Sequence, residues 1–124
     1  MNQIIAIAIG GAAGALSRYW FSNGVYGLLG RDFPYGTLMV NVLGSLIMGL
    51  LYVLFLERSA LGPEWRALLL IGFLGSFTTF STFSLETVNL IEAHDYFKAA
   101  LNVLLSVVLC IMGTGLGMII ARKL

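Results

Sequence analysis

The stretch Ser76–Ser84, which reads S-F-T-T-F-S-T-F-S, has the residue types most suggestive of chemistry. Every third residue is a phenylalanine (Phe77, Phe80 and Phe83), and each of the other six carries a hydroxyl. No charged residue falls within Ala67–Leu85, so these hydroxyls lie in an apolar segment, where a polar group without a partner costs free energy. Hydroxyls interleaved with aromatic rings indicate a lining for a small polar solute that crosses a membrane.

The same stretch is a poor continuous helix, because Gly72 and Gly75 precede it. Glycine costs about 1 kcal/mol in a helix interior, and Ser and Thr hydroxyls compete for backbone carbonyls. The sequence therefore predicts a helix that is broken in the middle of the membrane. Such breaks line cavities, and their freed carbonyls often coordinate cations. The alternative is that the hydroxyls bond back to their own helix and the phenylalanines pack in the core.

Phe80 and Phe83 are three residues apart, which places them at adjacent positions on one helical face. A phenyl ring is negative on its face and positive at its edge, so its edge can approach an anion and its face suits a cation. The residues alone therefore leave the charge of the solute open. Ordinary aromatic packing is the other interpretation of this pair.

Three further polar residues lie in or beside apolar segments. Asn41 offers two N–H donors, either to a solute or to a neighbouring helix. Glu86 could carry protons, accept hydrogen bonds on the pathway or anchor a helix at the interface. Arg18 is expected to face an aqueous vestibule, since a buried arginine at full depth costs at least ~2.5 kcal/mol. Individually weaker candidates are Thr37, Ser45, Asn102 and Ser106.

These residues belong to a chain with the composition of a membrane protein. Apolar residues make up 59% of its 124 residues and charged residues 10%, against roughly 25% charged in soluble domains. A helix needs ~20 apolar residues to cross a bilayer, and charge-free runs near that length recur along the chain. We predict an all-α integral membrane protein with one domain, 1–124, and four transmembrane helices at about 3–22, 34–56, 65–91 and 97–121.

Several classes of function are excluded by the same inspection. The chain has one cysteine, Cys110, and one histidine, His94, so it lacks the set of ligands that a conventional zinc or haem site needs. A net charge of +1 argues against a nucleic-acid partner. The N-terminus has no basic region or small-residue cleavage site, so no removable signal peptide is predicted. There is no paired-carboxylate site, nucleophile–histidine pair or phosphate-binding glycine loop, which excludes familiar enzyme classes and leaves transport.

Four spans place both termini and the 57–66 loop on one side of the membrane. The Lys/Arg counts of the two sides differ too little to fix the orientation, which allows either one weakly specified topology or insertion in both orientations as an antiparallel dimer. An oligomer is favoured in either case. Small-residue faces that would let helices approach closely are Ala6, Gly10 and Gly14 in the first span and Gly113, Gly115 and Gly117 in the fourth.

Three motifs in this order carry a family resemblance: Gly10–Tyr19 (GGAAGALSRY), Gly36–Ser45 (GTLMVNVLGS) and Gly72–Glu86 (GFLGSFTTFSTFSLE). With them, essentially the whole chain resembles the Fluc (CrcB-type) fluoride channels, small bacterial proteins of four spans. The third motif is the most specific, and the sequence matches the family pattern throughout these positions. The fourth span has fewer motif residues.

The resemblance implies an antiparallel, dual-topology homodimer in the bacterial inner membrane, with two pathways for passive fluoride export. Phe80 and Phe83 would meet the anion through their ring edges, and Asn41 would donate from its amide. The implied polar track toward Glu86 consists of Thr82, Ser81, Thr37 and Ser106. Arg18 would contribute to a positive vestibule. Backbone carbonyls of Gly75 and Thr78 from both subunits would bind one central, structural Na⁺.

Two other functions are compatible with a small four-span protein. One is a proton-coupled exporter like the small multidrug resistance proteins, which use a glutamate in the first span. Residues 3–22 contain no acidic group here, so Glu86 would have to substitute. The other is a membrane protein that scaffolds a complex, which would not need the stretch Ser76–Ser84.

Overall fold

A computed structural model describes residues 2–59 and 61–124. Within those ranges every regular element is helical, and four segments are long and apolar enough to cross a membrane. The predicted all-α architecture with four candidate membrane-spanning helices is confirmed. We call these segments spans 1 to 4, and they are Gln3–Leu29, Tyr35–Glu57, Pro63–Glu92 and Tyr96–Arg122.

Span 1 is longer than the sequence predicts, since its helix reaches Leu29 rather than ending near residue 22. Asn2 caps its start with a side-chain hydrogen bond. The helix ends at Gly30, whose φ of 82° is one that residues with a Cβ rarely adopt. The Gly30 N–H donates to the Tyr26 carbonyl at 2.8 Å. Because nothing before Gly30 interrupts the helix, Tyr19, Trp20 and Phe21, near the predicted end, lie within it.

Spans 1 and 3 meet backbone to backbone at small residues. A Cβ on Gly10 would lie 2.1 Å from the Leu68 carbonyl oxygen, and one on Gly14 would lie 2.2 Å from that of Phe73. Ala6, one turn earlier, is fully buried. The predicted close approach along this face of span 1 is confirmed, and it fixes where span 3 runs.

Spans 2 and 4 form a second backbone contact. A Cβ on Gly49 would lie 2.1 Å from the Thr114 carbonyl oxygen, and one on Gly117 would lie 2.2 Å from that of Leu46. The predicted packing face of span 4 is wrong for Gly115, which has nothing within 4 Å of its Cβ position. Alternate residues of a helix point in different directions, so Gly115 faces away from the contact that Gly117 makes.

The outer surface of the four spans is apolar. Large side chains such as Ile4, Leu28 and Leu104 are exposed, whereas a soluble monomer rarely presents extended apolar patches. The largest fully buried side chains are Leu74, Val40, Val53 and Asn102. Among the described residues the buried polar side chains are Thr37, Asn102 and Ser106, and the exposed apolar surface suits a hydrocarbon environment.

Candidate functional site

Span 3 begins as an α-helix over Pro63–Arg66 and then changes conformation four times along its length. Ala67–Leu74 is π-helical, a rare conformation that is frequent at functional sites, and a short α-helical turn follows over Gly75–Phe77. Thr78 and Thr79 are then extended, with ψ of 155° and 119°. A new α-helix begins at Phe80 and continues to Glu92. The hydroxyl–phenylalanine stretch therefore contains a two-residue interruption of the helix.

Asn41 of span 2 holds the interruption through the main chain of Thr79. Its Oδ1 accepts the Thr79 N–H at 2.7 Å, and its Nδ2 donates to the Thr79 carbonyl at 3.0 Å. One amide thus satisfies both backbone groups of an extended residue, as a neighbouring β-strand would. One Nδ2 hydrogen remains for another acceptor. Both interpretations of Asn41, interhelical bonding and donation to a solute, are compatible with this geometry.

The hydroxyls of the stretch divide into two groups. Those of Thr78 and Ser84 donate to the carbonyl four residues earlier, both at 2.9 Å, and the hydroxyl of Thr87, just beyond the stretch, does the same at 2.8 Å. The other group surrounds Thr79, whose Oγ1 lies 3.2 Å from that of Thr82 and 3.3 Å from that of Ser81. Hydrogen bonding back to the same helix therefore accounts for part of the stretch, and a separate hydroxyl cluster remains at the interruption.

The aromatic pair lies in a groove of about 390 Å³ between spans 2, 3 and 4. The ring centres of Phe80 and Phe83 are 5.3 Å apart and the ring planes are tilted by 51°. Phe83 is buried, whereas Phe80 is 77% exposed in the single chain. The other lining residues are Asn41, Gly44, Ser45, Met48, Thr78, Thr79, Ser106, Val107, Cys110, Ile111 and Thr114.

A second cavity of about 190 Å³ lies on the other side of the interruption, against span 1. In its lining, one Glu86 oxygen accepts the Tyr26 hydroxyl at 2.7 Å and the other accepts the Thr37 hydroxyl. The Arg31 guanidinium lies over the Tyr26 ring, 4.4 Å from its centre. The lining residues are Arg18, Ser22, Tyr26, Arg31, Thr37, Val40, Thr79, Thr82 and Glu86.

Most of the predicted site residues line one or other of these two cavities. Asn41, Phe80, Phe83 and Ser106 line the groove, and Arg18, Thr37, Thr82 and Glu86 line the second cavity. Thr79 borders both. Ser81 is exposed and borders neither, although its hydroxyl contacts that of Thr79. The predicted carbonyl pair, Gly75 and Thr78, flanks the end of the helical turn that precedes the interruption.

Comparison with known proteins gives the family. A family model described as CrcB-like protein, Camphor Resistance (CrcB), matches residues 5–118. The chain belongs to the CrcB-like family.

Relatives named fluoride-specific ion channel FluC align with nearly all of this CrcB-like chain. The protein of Methylococcus capsulatus is 61% identical over 122 residues, covering 98% of this chain and 54% of the relative. That of Coxiella burnetii (strain Dugway 5J108-111) is 57% identical over 123 residues, 98% and 99% of the two chains. That of Geobacter sulfurreducens is 52% identical over the full length of both. The chain thus spans about half of the Methylococcus relative and nearly all of the other two.

Sequence inspection of this CrcB-like chain missed Tyr26. The residue follows the predicted end of span 1 and has no motif around it, so nothing marked it as an interior group. In the structure it donates to Glu86, and its hydroxyl lies 3.4 Å from that of Thr37. Asn102, a weak sequence candidate, is 1% exposed and donates to the Thr87 hydroxyl at 2.9 Å.

We expect the Tyr26→Phe variant of this CrcB-like chain to be less stable. The variant loses one of two hydroxyl donors to Glu86, and an intramolecular hydrogen bond contributes about 1 kcal/mol. The Thr37→Val variant loses the other donor. Because both donors bond one carboxyl group, the effects of the two substitutions should not add. Thermal unfolding of the purified protein, monitored by size-exclusion chromatography, measures the two single variants and the double variant.

The matched control is Ser22→Ala, which borders the same cavity and removes a hydroxyl that bonds only within its own helix, to Tyr19. Its unfolding midpoint should stay close to that of the wild type. A Tyr26→Phe variant as stable as the Ser22→Ala variant would show that the bond to Glu86 contributes nothing to the fold.

Proposed function

We propose that the protein is a fluoride-selective channel that lets fluoride leave the cytoplasm passively across the bacterial inner membrane. The observation that carries the proposal is the groove in which Phe80 and Phe83 lie beside the neutral donors Asn41 and Ser106. Relatives named fluoride-specific ion channel, at 48–61% identity over nearly the whole chain, supply the identity of the ion.

The chemistry of the lining supports conduction of a small anion. Fluoride holds its water tightly, so a pathway must offer many donors to replace that shell. Those donors must be neutral and arranged in series, because one strong site would bind the ion and stop conduction. Hydroxyls, the Asn41 amide and the ring edges of Phe80 and Phe83 meet this requirement. Chloride is larger and would fit a narrow, donor-lined path badly, which gives discrimination by exclusion.

We assign the pathway to residues of both cavities. Phe80, Phe83, Asn41 and Ser106 form its aromatic portion, and Arg18 contributes positive charge at the vestibule. The polar portion runs from Thr82 through Thr37 toward Glu86, which lies at its end as a hydrogen-bond acceptor, and Ser81 lies at the exposed end of the hydroxyl cluster. Thr79 borders both cavities, which supports a connection between the two portions at the interruption.

We further propose that the functional unit is an antiparallel homodimer with two pathways. The groove has no wall from span 1, and the side chain of Phe80 is exposed in the single chain, so a second subunit would complete the lining. Gly75, in the turn before the interruption, is also exposed. The small difference in Lys/Arg between the two sides is compatible with insertion in both orientations.

A structural Na⁺ fits the interruption, which we place within the membrane. In a continuous helix the N–H groups of Thr79 and Thr82 would donate to the carbonyls of Gly75 and Thr78. Here those N–H groups donate to Asn41 Oδ1 and Thr79 Oγ1 instead. Two carbonyls without these partners are suitable cation ligands, and the same pair from each subunit would hold one ion. Bound Na⁺ would supply charge that stabilises both interruptions.

The family match favours this function over a proton-coupled exporter of the small multidrug resistance type. Glu86, the residue such an exporter would need, bonds to Tyr26 and Thr37 at one end of the polar portion. A scaffold would not need the donor-lined groove.

Fluoride efflux from liposomes tests the proposal. Vesicles that contain the purified protein are loaded with potassium fluoride, and release is measured with a fluoride electrode after valinomycin provides a path for K⁺. We expect rapid fluoride release that depends on valinomycin, and no chloride release from vesicles loaded with potassium chloride. Protein-free vesicles give the background.

Two outcomes would contradict the proposal. Release of neither ion would remove the channel function, and equal release of both would remove the selectivity. Fluoride release that requires an imposed proton gradient, and does not depend on valinomycin, would favour the coupled exporter.

A further inference from the structure

We propose that Asn41 and Thr79 are positioning residues that keep the carbonyls of Gly75 and Thr78 free and thereby set the affinity for Na⁺. This inference rests on the Na⁺ site proposed above. Each of the two carbonyls has lost the backbone N–H that a continuous helix would supply, and in each case a specific side-chain oxygen has taken that N–H.

The first N–H is held by Asn41. The Thr79 N–H, which would otherwise close the helix onto Gly75, donates to Asn41 Oδ1 at 2.7 Å, and Asn41 Nδ2 secures the Thr79 carbonyl at 3.0 Å. Three residues later in span 2, a Cβ on Gly44 would lie 2.3 Å from the Thr78 Cγ2. Gly44 thus leaves room for span 3 to come within reach of Asn41.

The second N–H is held by Thr79 itself. Its Oγ1 accepts the Thr82 N–H at 3.2 Å, which is the usual bond of a helix N-cap. That bond withholds the Thr82 N–H from the Thr78 carbonyl. Thr79 therefore acts twice, since its backbone is held by Asn41 and its side chain caps the next helix.

The two side chains oppose closure of the helix. Without them, the N–H groups of Thr79 and Thr82 would lack partners in an apolar environment, where an unsatisfied backbone group is costly. Bonding to the carbonyls of Gly75 and Thr78 would remove that cost and consume the proposed Na⁺ ligands. Loss of either side chain should therefore weaken Na⁺ binding more than it weakens other parts of the fold.

The test compares four variants, Thr79→Val, Thr79→Ser, Ser84→Ala and Asn41→Leu, in protein purified throughout without Na⁺. Thr79→Val keeps the shape of the residue and removes the cap oxygen, whereas Thr79→Ser keeps the oxygen. Ser84→Ala removes a hydroxyl that bonds only to the Phe80 carbonyl in the same helix. For each, the unfolding midpoint is measured against Na⁺ concentration, with N-methylglucamine holding the ionic strength constant, because a ligand stabilises the folded state according to its affinity.

We expect the Na⁺ concentration for half-maximal stabilisation to rise at least about tenfold in Thr79→Val, the usual effect of removing a group that positions metal ligands. Thr79→Ser and Ser84→Ala should match the wild type. The Asn41→Leu variant should show the same rise as Thr79→Val. If Thr79→Val aggregates without Na⁺, high Na⁺ should restore the folded protein.

The inference would be overturned if Thr79→Val and Asn41→Leu needed the same Na⁺ concentration for half-maximal stabilisation as the wild type. An aggregated Thr79→Val variant that Na⁺ does not restore would also overturn it, since Thr79 would then be required for folding itself. A wild-type protein that Na⁺ does not stabilise would remove the Na⁺ site together with the inference. Fluoride efflux from the same preparation then decides separately whether the channel function stands.

Discussion

We expect the Phe80→Ile variant to fold normally and to lose nearly all fluoride efflux. Isoleucine is apolar and offers no positive ring edge to the anion. Because Phe80 is 77% exposed in the single chain, its replacement leaves the packing of the subunit intact. A fall of roughly a hundredfold in the efflux rate corresponds to about 2.7 kcal/mol in barrier height. Fluoride-electrode measurements on liposomes with equal amounts of protein give the rate.

The control is Phe97→Ile, which removes another ring that is 77% exposed and that borders neither cavity. Its efflux should match the wild type. Wild-type efflux from Phe80→Ile would remove the aromatic pair from the pathway. Equal losses in both variants would indicate a general effect of losing exposed rings.

The Phe83→Ile variant should lose efflux to a similar degree and should also be less stable. Phe83 is buried and packs beside Phe80, with 5.3 Å between the ring centres. A smaller side chain leaves unfilled space in addition to removing the ring edge. If Phe80→Ile and Phe83→Ile lose efflux equally but only Phe83→Ile is less stable, the role of the pair in conduction is separate from its role in packing.

The second large effect is expected from Gly14→Ala, which should separate spans 1 and 3. The added Cβ would lie 2.2 Å from the backbone oxygen of Phe73, and a backbone atom cannot turn aside as a flexible side chain can. Overpacking of this kind typically costs 1–3 kcal/mol, so the free energy of unfolding should fall by roughly that amount. The unfolding midpoint and the yield of folded protein are the measurements.

Gly24→Ala is the matched control, because it lies in the same helix and has nothing within 4 Å of its Cβ position. Alanine is the better helix former by about 1 kcal/mol, so this variant should be at least as stable as the wild type. A Gly14→Ala variant that equals Gly24→Ala in stability would show that the two spans can move apart without cost.

The sequence predicts the helices well because crossing a membrane imposes a length and an apolar character on each span. Charge-free runs mark all four, and glycine spacing marks the contact face of span 1. The end of span 1 is predicted less well, since Tyr19, Trp20 and Phe21 resemble an interfacial belt whereas the helix ends at Gly30. An aromatic belt reports the position of an interface, and a helix can continue beyond it.

The arrangement of the site depends on contacts that local pattern does not contain. Asn41 and Thr79 are 38 residues apart, and Tyr26 and Glu86 are 60 apart. Composition and spacing identify Asn41 and Glu86 as polar groups in apolar segments, but their partners are set by how the spans pack. The division of the predicted pathway residues between two cavities follows from the same packing.

The glycine contacts between the spans have a thermodynamic consequence. Separating the spans within a bilayer would expose their apolar surfaces to hydrocarbon rather than to water, so the hydration change that gives soluble proteins their large heat capacity of unfolding would be mostly absent. Contacts such as Gly10 with Leu68 and Gly49 with Thr114 hold through dispersion forces. The free energy of unfolding of the assembled bundle should therefore change almost linearly with temperature. It should lack the loss of stability on cooling that is seen when the hydrophobic effect in water stabilises a core.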